Sequence, residues 1–169
     1  PSPKDGLSVV TKTAFLIASM FLLVGCSNQG ELLFREIPKD GWVQDQWVEF
    51  SYTHRLPEKE VALHWVLRHD DDYPFSNIHF IVTWSNPKGK EQTDTLSYLL
   101  AEPSGKWLGK GLYSKEHKLP FLTRYLLDEP GKYSFRIRPA VRATENQIPN
   151  KIVPGIHQIG IGLNPISNE

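Results

Sequence analysis

From Trp47 to Leu163 the chain repeatedly sets apolar against polar side chains at every second position, the period of a half-buried strand. Val48, Phe50 and Tyr52 alternate with Trp47, Glu49 and Ser51, and Val61, Leu63, Trp65 and Leu67 oppose Ala62, His64, Val66 and Arg68. Ile78, Phe80, Val82 and Trp84 line one face of a third strand, which stops at the turn composition Asn86-Pro87-Lys88-Gly89. Gln92 to Ala101 resumes the alternation as the second arm of a hairpin and ends at Glu102-Pro103-Ser104-Gly105. Leu122 to Leu127 predicts a further strand. Lys132 to Ala140 predicts another with Tyr133, Phe135 and Ile137 inward, and Gly155 to Leu163 supplies a last one through Ile156, Ile159, Ile161 and Leu163. About six to eight strands at these spacings predict an all-β fold, a single antiparallel β-sandwich. The one stretch with room for a short helix, Glu116 to Tyr125, carries Pro120 in its middle, where proline removes a backbone donor.

Ahead of the strands the pattern is solid rather than alternating. Ala14 to Gly25 is an apolar run of about a dozen residues with Lys4 and Lys12 upstream. That is well short of the ~20 residues a helix needs to cross the hydrocarbon core, and it has the length of a signal-peptide core. Leu23-Val24-Gly25-Cys26 closes the run and reads as a bacterial lipoprotein export signal. There the Cys26 thiol takes up diacylglycerol, the peptide is cut ahead of it, and the new amine is acylated, with palmitate among the acyl chains. Val24 and Gly25 are small enough for extended backbone to enter a protease cleft. Cys26 is the only cysteine, so no disulfide competes for it. The expected organisation is therefore a cleaved signal peptide over 1–25, a lipid-proximal tether over 26–33 and a β-sandwich over 34–169. Several acyl chains hold a protein on a membrane almost irreversibly. Ser27 stands where an aspartate would be an inner-membrane retention cue, and no acidic cluster precedes Glu31, so the expected location is the outer membrane, facing the periplasm.

Cleavage removes Lys4, Lys12 and Asp5, so the 19 basic and 19 acidic residues become 17 and 18, a net charge of about −1 over 144 residues. A chain of that size buries one core, and nothing in its charge favours nucleic acid, whose phosphates require clustered Lys and Arg. Gly105-Lys106-Trp107-Leu108-Gly109-Lys110-Gly111 is one residue too short between its glycines for a phosphate loop and has Gly111 where Ser or Thr must meet magnesium. Its glycines instead fit a sharp loop, with Trp107 plugging the end of the core. His69-Asp70-Asp71-Asp72 lacks the alternate spacing and glycine of a calcium loop and reads as a solvated turn whose Asp70 or Asp71 accepts backbone N–H bonds. The histidines at 54, 64, 69, 79, 117 and 157 match no zinc motif, although His64 and His79 fall on outward faces of two strands that could be neighbours. No Gly-x-Ser-x-Gly elbow occurs. No cofactor, metal or catalytic residue is expected.

Several of these motifs, taken in order, resemble the gliding-motility lipoprotein family GldH. They are Arg68 to Asn77 with Asp72-Tyr73-Pro74-Phe75-Ser76-Asn77, Asp94-Thr95-Leu96, Pro103 to Gly111, Gly131-Lys132-Tyr133-Ser134-Phe135, Val141-Arg142 and Gly155 to Ile161. Gly41-Trp42 and the cysteine motif agree in order. The family's first motif often carries asparagines where this chain has His69, Asp70 and Asp71. The resemblance implies a cell-envelope lipoprotein of Bacteroidetes, without catalytic residues, acting in surface gliding and the associated type IX secretion apparatus or in envelope assembly. Its partners would be the membrane, through the acyl chains on Cys26, and other gliding or secretion proteins. Loops on a rigid scaffold concentrate binding residues. The expected contact surface is accordingly the sandwich end bearing Tyr73, Pro74, Phe75 and Asn77, with Trp107 and Lys110 from the second loop. The alternative is that Tyr73, Phe75 and Trp107 cap the core. Tyr73→Ala with Phe75→Ala separates the two, since only a free surface leaves the thermal midpoint unchanged. A different function class remains open, an envelope carbohydrate-binding sandwich or glycan-active enzyme that stacks sugar on Trp42, Trp84 or Trp107.

Overall fold

The computed structural model describes residues 30–55, 59–140 and 151–166. Its strands are β1 (Glu31–Glu36), β2 (Trp42–Val43), β3 (Val48–His54), β4 (Lys59–His69), β5 (Asn77–Ser85), β6 (Glu91–Leu99), β7 (Lys115–Leu127), β8 (Gly131–Pro139), β9 (Ile152–Val153) and β10 (Ile156–Pro165). One four-stranded sheet has the order β1-β10-β4-β7, the other β3-β8-β5-β6, and β2 pairs with β9 in a two-stranded ribbon. Every pairing is antiparallel. The all-β sandwich expected from the alternation is present.

The alternation explains the layering. Phe50, Ile78, Phe80, Val82, Phe135 and Ile137 from one sheet and Val61, Leu63, Trp65, Leu67, Ile159 and Ile161 from the other are all buried. Aromatic pairs cross between the sheets: Phe50 of β3 meets Trp65 of β4 at 5.9 Å, and Trp84 of β5 meets Phe121 of β7 edge-on at 5.1 Å between centroids. Such rings bury more apolar area per residue than any others, and their tilted geometry suits the ring quadrupole.

Three elements differ from expectation. β1 begins at Glu31, so the last part of the expected tether is strand, held edge to edge on β10 from Glu31↔Leu163 to Glu36↔Gln158. β7 starts at Lys115 rather than Leu122 and runs straight through Pro120. A proline is tolerated there because β7 ends its sheet and needs no outward N–H, and the register against β4 shifts twice beside it. His64 lies on β4 and His79 on β5, in different sheets, so they are not cross-strand neighbours. Cys26 and Val141-Arg142 lie outside the described residues.

Candidate functional site

One end of the sandwich gathers the loop after β4, the loop between β6 and β7, and the β9–β10 turn. Asp70 organises it. Its backbone N–H donates to the Gly155 carbonyl at 2.9 Å, its Oδ1 accepts the Asp72 N–H at 2.9 Å, and its Oδ2 accepts from His157 Nε2 at 2.7 Å. Asp71 Oδ1 accepts the Trp107 indole N–H at 2.9 Å, tying the second loop to the first. The turn is therefore ordered by its carboxylates through backbone and ring donors. Gly155 has φ +76°, and a Cβ there would fall 2.3 Å from the Tyr73 backbone nitrogen. Gly155→Ala must push the Asp72-Tyr73 backbone away, and an expected loss of about 2–3 kcal/mol is measurable by urea denaturation.

Beneath Trp107 lies a buried histidine pair that matches no sequence spacing typical of a metal site. His69 is 0% and His117 5% exposed, and their Nε2 atoms are 2.9 Å apart. The rings are near coplanar, 19° apart with centroids 5.0 Å from one another, which is the end-to-end arrangement of a direct N–H···N bond. His69 Nδ1 stands 2.8 Å from the Asp70 carbonyl, which can only accept. Nδ1 of His69 therefore carries the proton, its Nε2 offers the lone pair, and His117 donates from Nε2. Both rings are neutral in this network. Burial pushes the His117 pKa down to about 4, with the neighbouring His69 adding to the effect. Burial also lowers that of His69, against a partial rise from the Asp70 carbonyl. Gly109 makes room for the pair, since a Cβ there would sit 2.5 Å from His117 Nε2.

Tyr73 is 2% exposed, stands 5.2 Å from the His69 ring and donates its hydroxyl to the Asn77 carbonyl at 2.7 Å. Its burial raises the phenol pKa above the ordinary range. Tyr73 is thus core, and a ring without free surface offers nothing to a partner. Phe75, half-buried, stands edge-on to it at 5.7 Å, and Trp107, also half-buried, is edge-on to His69 at 4.5 Å. Pro74, Asn77 and Lys110 are exposed. Asn77 opens β5, whereas Lys110 bridges antiparallel to Glu116 and reaches a polar cleft of about 660 Å³ with Glu36, Arg68 and His157. The structure brings the two loops together but splits the expected surface into a buried half and an exposed half. Trp42 and Trp84 are buried in the core and present no face for stacking on sugar.

The signal for the histidine pair is present in the alternation. His69 continues the inward set Val61, Leu63, Trp65 and Leu67, and His117 precedes Leu119 at the same interval. Among the described residues, no group of three or more His, Cys, Asp or Glu side chains is placed to hold a metal ion.

The chain is a two-sheet antiparallel β-sandwich, one end of which is locked by a buried histidine pair and an aspartate-ordered turn. Residues 33–163 match the family described as GldH lipoprotein, and the chain belongs to it. It is 32% identical over 128 residues to a gliding motility lipoprotein GldH homolog of Christiangramia forsetii, covering 75% of this chain and 79% of that one. It is 31% identical over 158 residues to gliding motility lipoprotein GldH of Flavobacterium johnsoniae, covering 91% and 96%. Among solved structures, that of infectious bursal disease virus Gx strain aligns at a TM-score of 0.37 and 10% identity over 83% of this chain and 33% of that one, too loosely to inform the site.

Proposed function

We propose that this chain is a lipoprotein held in the outer membrane by acyl chains on Cys26, facing the periplasm, where its sandwich serves as a non-catalytic structural component of the gliding-motility and associated type IX secretion machinery. The observation that carries this proposal is family membership across nearly the whole sandwich, with both relatives bearing a gliding-motility lipoprotein name. Cys26 directly after Leu23-Val24-Gly25 supplies the attachment point. Anchoring confines the domain to two dimensions and raises its effective concentration beside other anchored proteins. The test is crosslinking in living cells with affinity recovery, comparing the native chain with Cys26→Ser. The native chain is expected in the membrane fraction, joined to gliding or secretion proteins. The Ser form is expected to be soluble, to capture none of them and to fail to restore gliding. Recovery of glycan alone, or equal behaviour of both forms, would overturn the proposal.

A further inference from the structure

The exposed apolar surface of this molecule is unevenly placed. Of the eight large hydrophobic side chains exposed among the described residues, four cluster at the histidine end: Leu99 (69% exposed), Leu108 (52%), Leu112 (78%) and Tyr113 (87%). Leu99 ends β6, the last strand of its sheet among the described residues. Just beyond it the Leu108 N–H donates to the Leu100 carbonyl at 2.8 Å and Ala101 bridges Trp107, so the open edge is that of β6 itself, up to Leu99. Edge strands are usually blunted by lysine, proline or a bulge. β7, the edge on the same flank, carries Lys115, Lys118, Pro120 and two register shifts. β6 has no lysine, proline or bulge, and its register against β5 is unbroken. Its two charges, Glu91 (held by Arg136 at 2.9 Å) and Asp94, lie in its first half, away from Leu99. The Tyr98 hydroxyl donates to the Pro120 carbonyl across the two edges, and beside this bridge lies a groove of about 700 Å³ walled by Tyr98, Leu99, Leu108 and Pro120. Lys110 and Lys118 line it too. Glu116, the carboxylate between them, is engaged by Arg68 at 2.7 Å.

We propose that the outer edge of β6 and this groove receive an extended segment of another envelope protein, one in which apolar side chains alternate with acidic ones. The free backbone groups of β6 would pair with the segment as an added strand. Alternate side chains of that strand would then face Leu99 and Leu108, and the carboxylates between them Lys110 and Lys118. An open strand edge favours a protein over a lipid surface, because its backbone donors and acceptors are matched by another backbone and not by acyl chains. That the segment belongs to another envelope protein rests on the anchoring at Cys26 proposed above.

The full chain, purified from membranes, is offered a library of random short peptides. Peptides that alternate apolar residues with Asp or Glu are expected to be enriched. Their binding is expected to weaken about tenfold with Leu99→Lys, to weaken similarly with Lys110→Glu plus Lys118→Glu, and to fall as salt rises. Leu99 is exposed, so Leu99→Lys leaves the core untouched. Enrichment of another pattern, or of peptides indifferent to Leu99→Lys, would sink the proposal. So would self-association of the chain through Leu99, or adsorption to phosphatidylglycerol vesicles that Leu112→Ser with Tyr113→Ser abolishes. Failure of the anchoring is read separately: Cys26→Ser then remains in the membrane fraction whatever the peptides do.

Discussion

Tyr73→Ala is expected to destabilise the domain by about 3–4 kcal/mol, the cost of emptying a large aromatic site in a core that cannot collapse around it. The ring is buried against His69 and Phe75, and its hydroxyl is the donor that satisfies the Asn77 carbonyl at the start of β5. Removing it opens a cavity and orphans an acceptor together. For a domain of this size the thermal midpoint should fall by roughly 10 °C. Tyr73→Phe keeps the ring and loses only the hydrogen bond, so about 1 kcal/mol is expected from it. Thermal unfolding followed by circular dichroism separates the outcomes. A midpoint unmoved by Tyr73→Ala would return the residue to the surface and remove the basis for treating this loop as a structural cap. Pro74 and Asn77, exposed on the same loop, should tolerate substitution with little change in midpoint.

Which parts of this architecture are legible in the sequence follows from what fixes each part. The strands around Phe50, Trp65, Phe80, Phe135 and Ile161 can be read because one face of each is core, and a strict period of two then leaves little choice. β1 is harder, since Leu33 and Phe34 are only half-buried and the strand is set by its backbone pairing with β10. The first half of β7 is hidden by Pro120, whose disruptive effect depends on whether a neighbour needs its N–H; being an edge is a property of the sheet, not of the segment. The site follows the same division. The two loops can be identified as partners only through the family resemblance, and Trp107 bonding to Asp71 is a long-range contact with no local signature. The histidine pair is accessible in principle, because both rings extend inward apolar sets. A histidine in that register is easily taken for a strand end at the surface, and only the facing ring makes its burial tolerable.

Acid should weaken the folded state through that pair. An unfolded histidine titrates near 6.5, whereas His117 in the fold is held down to about 4 by burial and by His69. Between these values the unfolded chain binds a proton that the folded chain refuses, so stability declines as pH falls through the window and levels off below it. His69, lowered in the same direction, adds to the decline. Each tenfold loss of proton affinity on folding is worth about 1.4 kcal/mol, and the lining of an open groove by His117 leaves some of its charge accessible to solvent. The expected total is therefore about 2–3 kcal/mol lost between roughly pH 7.5 and pH 4. Carboxylates titrate at the lower edge of the same range, so the decisive comparison is with His117→Gln. Its amide can still donate to His69 Nε2 but takes no proton of its own. The variant should be slightly less stable than the native chain at neutral pH, because the ring packing against Gly109 is lost, and should close the gap as the pH falls. Urea midpoints for the two chains at several pH values measure this directly. Parallel curves would mean that the pair does not resist protonation in the fold. Converging curves would assign this part of the acid sensitivity to the histidine pair beneath Trp107.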